Sequence, residues 1–295
     1  MDKTYIGEFA ALFVSFCWAV SSTCFEGASR KVGSLVVNHI RLILAFCMLG
    51  VLGLFTNGSF FPTGASEQQW IWLSLSGLAG FFLGDLFLFK SFTLLGSRLS
   101  MLVMTFSPAM TALISFLFLG EHLNLMQILS IFLIIGGILM AFVGREKGKI
   151  QFNMSFKGFL YALGGALGQS FGYVLSKKGV GDYDPFAATQ IRIITGFICF
   201  MFLVTYLKRW PSFGKAIKDA KSMKEITIGS FFGPGLGVGL SLYALTKTET
   251  GIASALMALT PILLIVPAYV KGRHIAVMEL VGAFVSVGGA MLLFL

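Results

Sequence analysis

The sequence predicts an all-α integral membrane protein whose ten transmembrane helices form two inverted five-helix repeats, and three observations carry that expectation. Of 295 residues, 56% are hydrophobic and only 12% charged, whereas soluble domains carry roughly a quarter charged residues. Mean hydropathy is +0.86. Apolar runs follow one another along the whole chain, and the two halves of the chain match each other in order.

A bilayer core of ~30 Å takes about 20 apolar residues per helix. Runs between polar breaks fall at 7–25, 35–55, 71–95, 98–119, 125–143, 157–176, 186–207, 226–247, 250–270 and 276–295. The first run, Gly7–Phe25, is followed at once by further spans and not by a cleavage site and polar mature region, so it reads as the first helix. The substantial polar connections, Gly144–Lys157, Lys177–Pro185 and Lys208–Glu225, read as loops and leave no room for a soluble catalytic domain.

Laying Phe81–Pro108 on Pro234–Pro261 without a gap matches Leu83 with Leu236, Gly84 with Gly237, Thr93 with Thr246, Met104 with Met257 and Pro108 with Pro261. Ile40-Arg41 then finds Ile191-Arg192, and Gly136-Gly137 finds Gly288-Gly289. Residues 7–143 therefore hold the first repeat and 157–295 the second. Five helices are an odd number, so the second copy enters from the opposite face. Two antiparallel copies enclose a central cavity that rocking can expose to either side.

The spans carry close-packing signals in Gly80-xxx-Gly84, Gly164-xxx-Gly168-xxx-Gly172 and the run Gly233–Gly239. Pro108 and Pro261, following Ser107 and Thr260, are expected to free a carbonyl and kink their helices as a paired gate. The net charge of +9 sits in short loops without interleaved aromatics, which argues against nucleic acid. Cys17, Cys24, Cys47 and Cys199 lie in apolar segments without metal-ligand or disulfide spacing, and His39, His122 and His274 are too scattered to ligate one ion. No HExxH, GxSxG or P-loop pattern occurs, so the reading is no enzyme, no cofactor, no metal and no direct ATP drive.

The stretch from Gly77-Leu-Ala-Gly-Phe-Phe-Leu-Gly-Asp-Leu through Phe106-Ser-Pro-Ala-Met-Thr-Ala-Leu to Leu119-Gly-Glu121 resembles the first half of an EamA-type transporter of the drug/metabolite transporter superfamily. Gly237-Val-Gly-Leu-Ser-Leu-Tyr-Ala-Leu and Thr250-Gly-Ile-Ala-Ser-Ala-Leu-Met-Ala-Leu-Thr-Pro261 resemble the second half. Glu121 has no twin, since the second copy reads Lys271-Gly-Arg-His274 there. The resemblance implies ten spans, a bacterial plasma membrane location and export or exchange of small metabolites or drugs. It also implies cytoplasmic termini. The charges imply the reverse: lysines and arginines crowd the odd-numbered loops, with Lys3, Lys177, Lys178 and Lys247 opposite, which places both termini outside.

Within the spans, Asp85 lies far from both ends, where an ionised carboxylate costs on the order of 2.5–3.5 kcal/mol or more. It needs a partner or a proton, so it is a candidate for proton coupling; its counterpart is Val238. Arg41 and Arg192 each lie about six residues, ~9 Å, into a span. They either line a vestibule that receives anionic or zwitterionic solutes or snorkel to the headgroups. Lys90 is about 140° around the helix from Asp85 and poorly placed to pair with it. Trp18, Ser21, Ser22 and Phe25 share one face, and Gln169, Gly172, Tyr173 and Ser176 make the corresponding stripe. Such stripes either line the cavity or bond between helices. Tyr243, Ser241, Asn38 and Gln190 are weaker candidates. The leading reading is an exporter of small organic solutes by alternating access. The alternatives are an importer of a sugar or metabolite on the same fold and, from a different class, a membrane-embedded enzyme or sensor.

Overall fold

A chain in hydrocarbon must satisfy each backbone N–H and C=O internally, and in this sequence the apolar runs do so as helices. The computed structural model describes residues 3–119, 124–146, 149–152, 155–248, 253, 256–270, 272 and 275–292. Helices α1 (Lys3–Val32) and α2 (Ser34–Asn57) join at Gly33, whose φ of 92° is a backbone conformation L side chains avoid. A third rod is built from α3 (Glu67–Ser76), a π-helical segment (Gly77–Gly84) and α4 (Asp85–Leu95). Ser66 starts it with a reciprocal cap: its hydroxyl accepts from the Gln69 amide at 3.3 Å while its own amide donates to Gln69 Oε1 at 2.8 Å. Next come α5 (Ser97–Met104), α6 (Ser107–Leu119) and α7 (Leu125–Phe142).

The second half repeats the plan with α8 (Phe156–Val180), α9 (Pro185–Tyr206) and the short α10 (Trp210–Lys218). Its own third rod is α11 (Ala220–Ser230), a π-helical segment (Phe231–Gly237) and α12 (Val238–Lys247). After it come α13 (Thr260–Leu263), α14 (Ile265–Val270) and α15 (Val277–Leu292). Both π segments run into the gap-free match between the halves and end at the matched Gly84 and Gly237, directly before Asp85 and Val238.

The halves interlock by exchange. Helix α8 packs on the first half's π-containing rod, and α1 packs on the second half's. Glycine permits both contacts. A Cβ at Gly168 would stand 2.5 Å from Gly84 Cα, and one at Gly172 would stand 3.0 Å from Gly80 Cα. On the other side Gly229, Gly233 and Gly237 lie against Phe25, Ser21 and Trp18. Helices α7 and α15 form a further pair in which Gly137 abuts Ser286 and the Ser286 hydroxyl donates to Ile134 O at 3.2 Å.

Several expectations need correction. Among the described residues seven helical stretches are long and apolar enough to cross a membrane, alongside shorter apolar helices. Helix α8 is 25 residues long, but its glycines, serines and lysines keep it out of that group. Thr260–Val270 and Val277–Leu292 are shorter apolar helices. The first helix runs well past 7–25, and Lys177 and Lys178 belong to the last turn of α8, not to a loop. Part of the connection after α7 is an antiparallel hairpin of β1 (Val143–Glu146) and β2 (Lys149–Phe152), with Val143 opposite Phe152. The connection from Lys208 contains α10, which buries Phe213 and Ala216, exposes Trp210 and Ile217 and carries Lys215 and Lys218 in its last turn. That division suits a helix lying in the interface plane. Glu121, His122, Lys271, Arg273 and His274 lie outside the described residues.

Candidate functional site

The π-helical turn before Asp85 is lined by glycine. Gly77, Gly80 and Gly84 leave no side chains on one flank, so α8 and α9 approach closely enough that a Cβ at Gly77 would strike the Arg192 carbonyl. Single π turns inside helices concentrate at functional sites because they re-aim the residues that follow. Here the residue re-aimed is Asp85, which is 4% exposed.

Asp85 is the hub of a charged cluster drawn from both halves. The Arg41 Nη2 donates to its Oδ2 in a buried ion pair. The Gln169 side-chain amide donates to its Oδ1 at 3.2 Å. Asn38 joins the two ends, donating to the Asp85 carbonyl at 3.2 Å and accepting from Arg41 Nε at 2.9 Å. The Arg41 guanidinium lies 4.6 Å from the Phe89 ring centre, with Phe25 and Phe81 at 5.6 and 5.7 Å. Arg192 enters from α9, 2% exposed, its guanidinium 4.9 Å from the Phe81 ring centre. Asp85 and Tyr173 are the charged or titratable groups that act on it.

The structure thus brings together Arg41, Asp85, Gln169, Arg192 and Tyr173, and neither arginine snorkels. Lys90 is exposed and away from the pair. Trp18 and Ser22 are elsewhere: Ser22 donates to its own helix at Ala19 O, and Trp18 packs against Gly237. Tyr243 carries the Lys247 ammonium 5.5 Å from its ring, toward the end of α12.

Pro108 and Pro261 occupy matching places in the two halves. Each sits in the first turn of a new helix after a two-residue break, Thr105–Phe106 and Ala258–Leu259, where a missing N–H costs nothing. The Met257 carbonyl, four residues before Pro261, is taken by the Thr260 hydroxyl at 2.9 Å.

Two further charged contacts were not anticipated. Glu26 accepts from the Ser97 amide at 2.8 Å and its hydroxyl at 2.7 Å, capping α5 from α1. Arg98, one residue on, donates to Glu279 of α15 at 2.9 Å and so ties the halves together. Glu279 inside an apolar run was a readable signal, but its partner was not. At one end of α9 a cleft of about 100 Å³ is lined by Pro62, Tyr183, Asp184 and Gln190, two residues from Arg192. Tyr183 donates to Thr63 O at 2.9 Å, and burial, then the Asp184 carboxylate, push its phenol up from the ordinary value. Among the described residues no three His, Cys, Asp or Glu side chains are grouped to hold a metal ion.

The sequence profile described as "EamA-like transporter family" matches residues 5–143 and 156–295. A solved structure titled "Crystal structure of protein" aligns over 98% of this chain and 96% of its own, with a TM-score of 0.67 at 15% identity, which shows a shared fold. No protein of curated function matches the chain.

Proposed function

The chain belongs to the EamA-like transporter family, and on that premise we propose that it is a secondary transporter that exports small organic solutes by alternating access through the Asp85 cluster. The observation that carries this reading is one buried aspartate held by both halves: Arg41 at its carboxylate and Asn38 at its backbone carbonyl from the first, Gln169 at its carboxylate from the second. If the halves rock, that cluster is where their relative position changes. Glycine-to-glycine contacts between α8 and the rod that carries Asp85, Gly168 on Gly84 and Gly172 on Gly80, offer a surface that slides with little side-chain interlocking.

We read the chain as ten helices in two inverted repeats, 7–143 and 157–295, with α8 and the shorter α13–α15 region supplying the crossings beyond the seven long apolar ones. The paired breaks at Pro108 and Pro261 serve as hinges. Trp18, Ser22 and Tyr243 belong to the flanks of the path, exposed to solute as the halves part. Lacking a nucleotide-binding loop, the carrier draws on a gradient, and Asp85 takes a proton when the Arg41 pair opens. The bacterial plasma membrane is its site, with both termini outside by the loop charges. A cytoplasmic reporter active when fused after Leu295 would reverse that orientation.

Flux in proteoliposomes holding only the purified protein tests the core of the reading. Wild type is expected to carry solute down a gradient without chemical turnover, and Asp85→Asn to lose accumulation driven by a pH gradient. Solute conversion, or full gradient-driven accumulation in the folded Asn variant, would defeat the transport or the coupling reading respectively.

A further inference from the structure

The two matched arginines differ in what they hold. Arg41 is committed: its Nε is bonded to Asn38, its Nη2 to Asp85, and three rings surround its guanidinium. Arg192 is equally buried, yet its Nε and Nη1 have no hydrogen-bond acceptor. The one carboxylate nearby is already engaged by Arg41 and Gln169. Gly80 lets its rod lie directly against Arg192: a Cβ there would be 3.4 Å from Nη2, 3.6 Å from Gly172 Cα and 3.8 Å from Gln169 Oε1. The cluster therefore contains two guanidinium groups and one carboxylate in a region with little water. A buried cation with open donors is completed by an anion that accepts from them.

We infer that the transported solute carries an oxyanion head group, a carboxylate or a phosphate, received by Arg192 alone, beside the Arg41–Asp85 pair. This rests on the transport reading and narrows its substrate class. The cleft that reaches Gln190 lies at one end of the same helix. Gln169 and Tyr173 of α8 face the same cluster. They are placed to contact the rest of the solute.

The test uses purified full-length protein and its thermal unfolding while sodium chloride is replaced stepwise by sodium acetate or sodium phosphate at fixed ionic strength. The expected result is a saturable rise in midpoint with one or both oxyanions, abolished in Arg192→Gln and weakened about ten-fold in apparent affinity in Arg192→Lys, where the planar fork is lost. A flat wild-type response overturns the inference. So does a rise that Arg192→Gln retains, or one equal in chloride and oxyanions. The wild-type titration decides even if Arg192→Gln fails to fold. Counterflow in proteoliposomes separates this inference from its premise. Carriage of an uncharged solute at a rate Arg192→Lys leaves unchanged would remove the anion and keep the transporter. An oxyanion response with no flux of any solute would keep the anion site and remove the transporter.

Discussion

Replacing Asp85 by Asn should destabilise the protein more than replacing its partner Arg41 by Gln. In the native cluster one carboxylate serves Arg41 directly and Arg192 at longer range, all three residues being at most 4% exposed. Asp85→Asn keeps the side-chain shape but leaves two buried guanidinium groups without an anion. Removing one partner of a buried pair costs about 3–5 kcal/mol. Arg41→Gln instead leaves Asp85 with Arg192 and Gln169, so its loss should fall at or below the lower end of that range. In the double variant only Arg192 remains charged, as in a site that has lost one balanced pair, so the double loss should be smaller than the sum by about 1–3 kcal/mol. Thermal or denaturant unfolding of the four proteins in one detergent measures the cycle, and at roughly 2–4 °C per kcal/mol the Asn variant should melt on the order of 10 °C lower. Equal costs for the two single variants, or strict additivity in the double, would refute the claim that one carboxylate balances two arginines.

Further outcomes follow from the same geometry. Arg41→Lys keeps the charge but cannot reach Asn38 and Asp85 together, so losing a charge-assisted hydrogen bond of about 1.5–3 kcal/mol should cut flux ten-fold or more; unchanged flux would mean that the bidentate contact is idle. Gly168→Ala drives a Cβ into the Gly84 backbone and should cost about 1–3 kcal/mol. Gly136 has open space around its Cβ position, so Gly136→Ala should instead gain up to about 1 kcal/mol of helix propensity; unfolding midpoints that shift the same way would contradict the packing assignment. Asp219, exposed between α10 and α11, accepts from the Ser222 and Lys221 amides. Those bonds, the Ser222 hydroxyl and Lys31 hold its carboxyl below the ordinary 3.8. A depressed folded value contributes stability above the unfolded one and loses it as pH falls through the folded one. Asp219→Asn should therefore show a flatter loss of stability below about pH 4 than wild type, and parallel acid curves would dismiss the cap.

Hydropathy and the internal match determined the membrane class and the two-repeat plan, because these depend on composition and on order along the chain, while the resemblance of particular stretches pointed to the family. Asp85, Arg41 and Arg192 also stood out from sequence alone, since any charge in an apolar run is conspicuous whatever its partner. The glycine spacing of Gly80, Gly84, Gly168 and Gly172 announced close packing, although not that those four glycines face one another. Tertiary structure decided what each conspicuous residue touches. Asp85 and Arg41 are 44 residues apart, and Gln169 lies 84 beyond Asp85, so only the exchange of α1 and α8 between the halves could reveal a shared cluster. The same holds for the breaks before Pro108 and Pro261, which look like interior kinks until the preceding two residues are seen to leave the helix. The π-helical turns depend on neither pattern nor propensity by itself. They arise where a glycine-lined rod is pressed against a helix from the other repeat, and no local reading contains that helix.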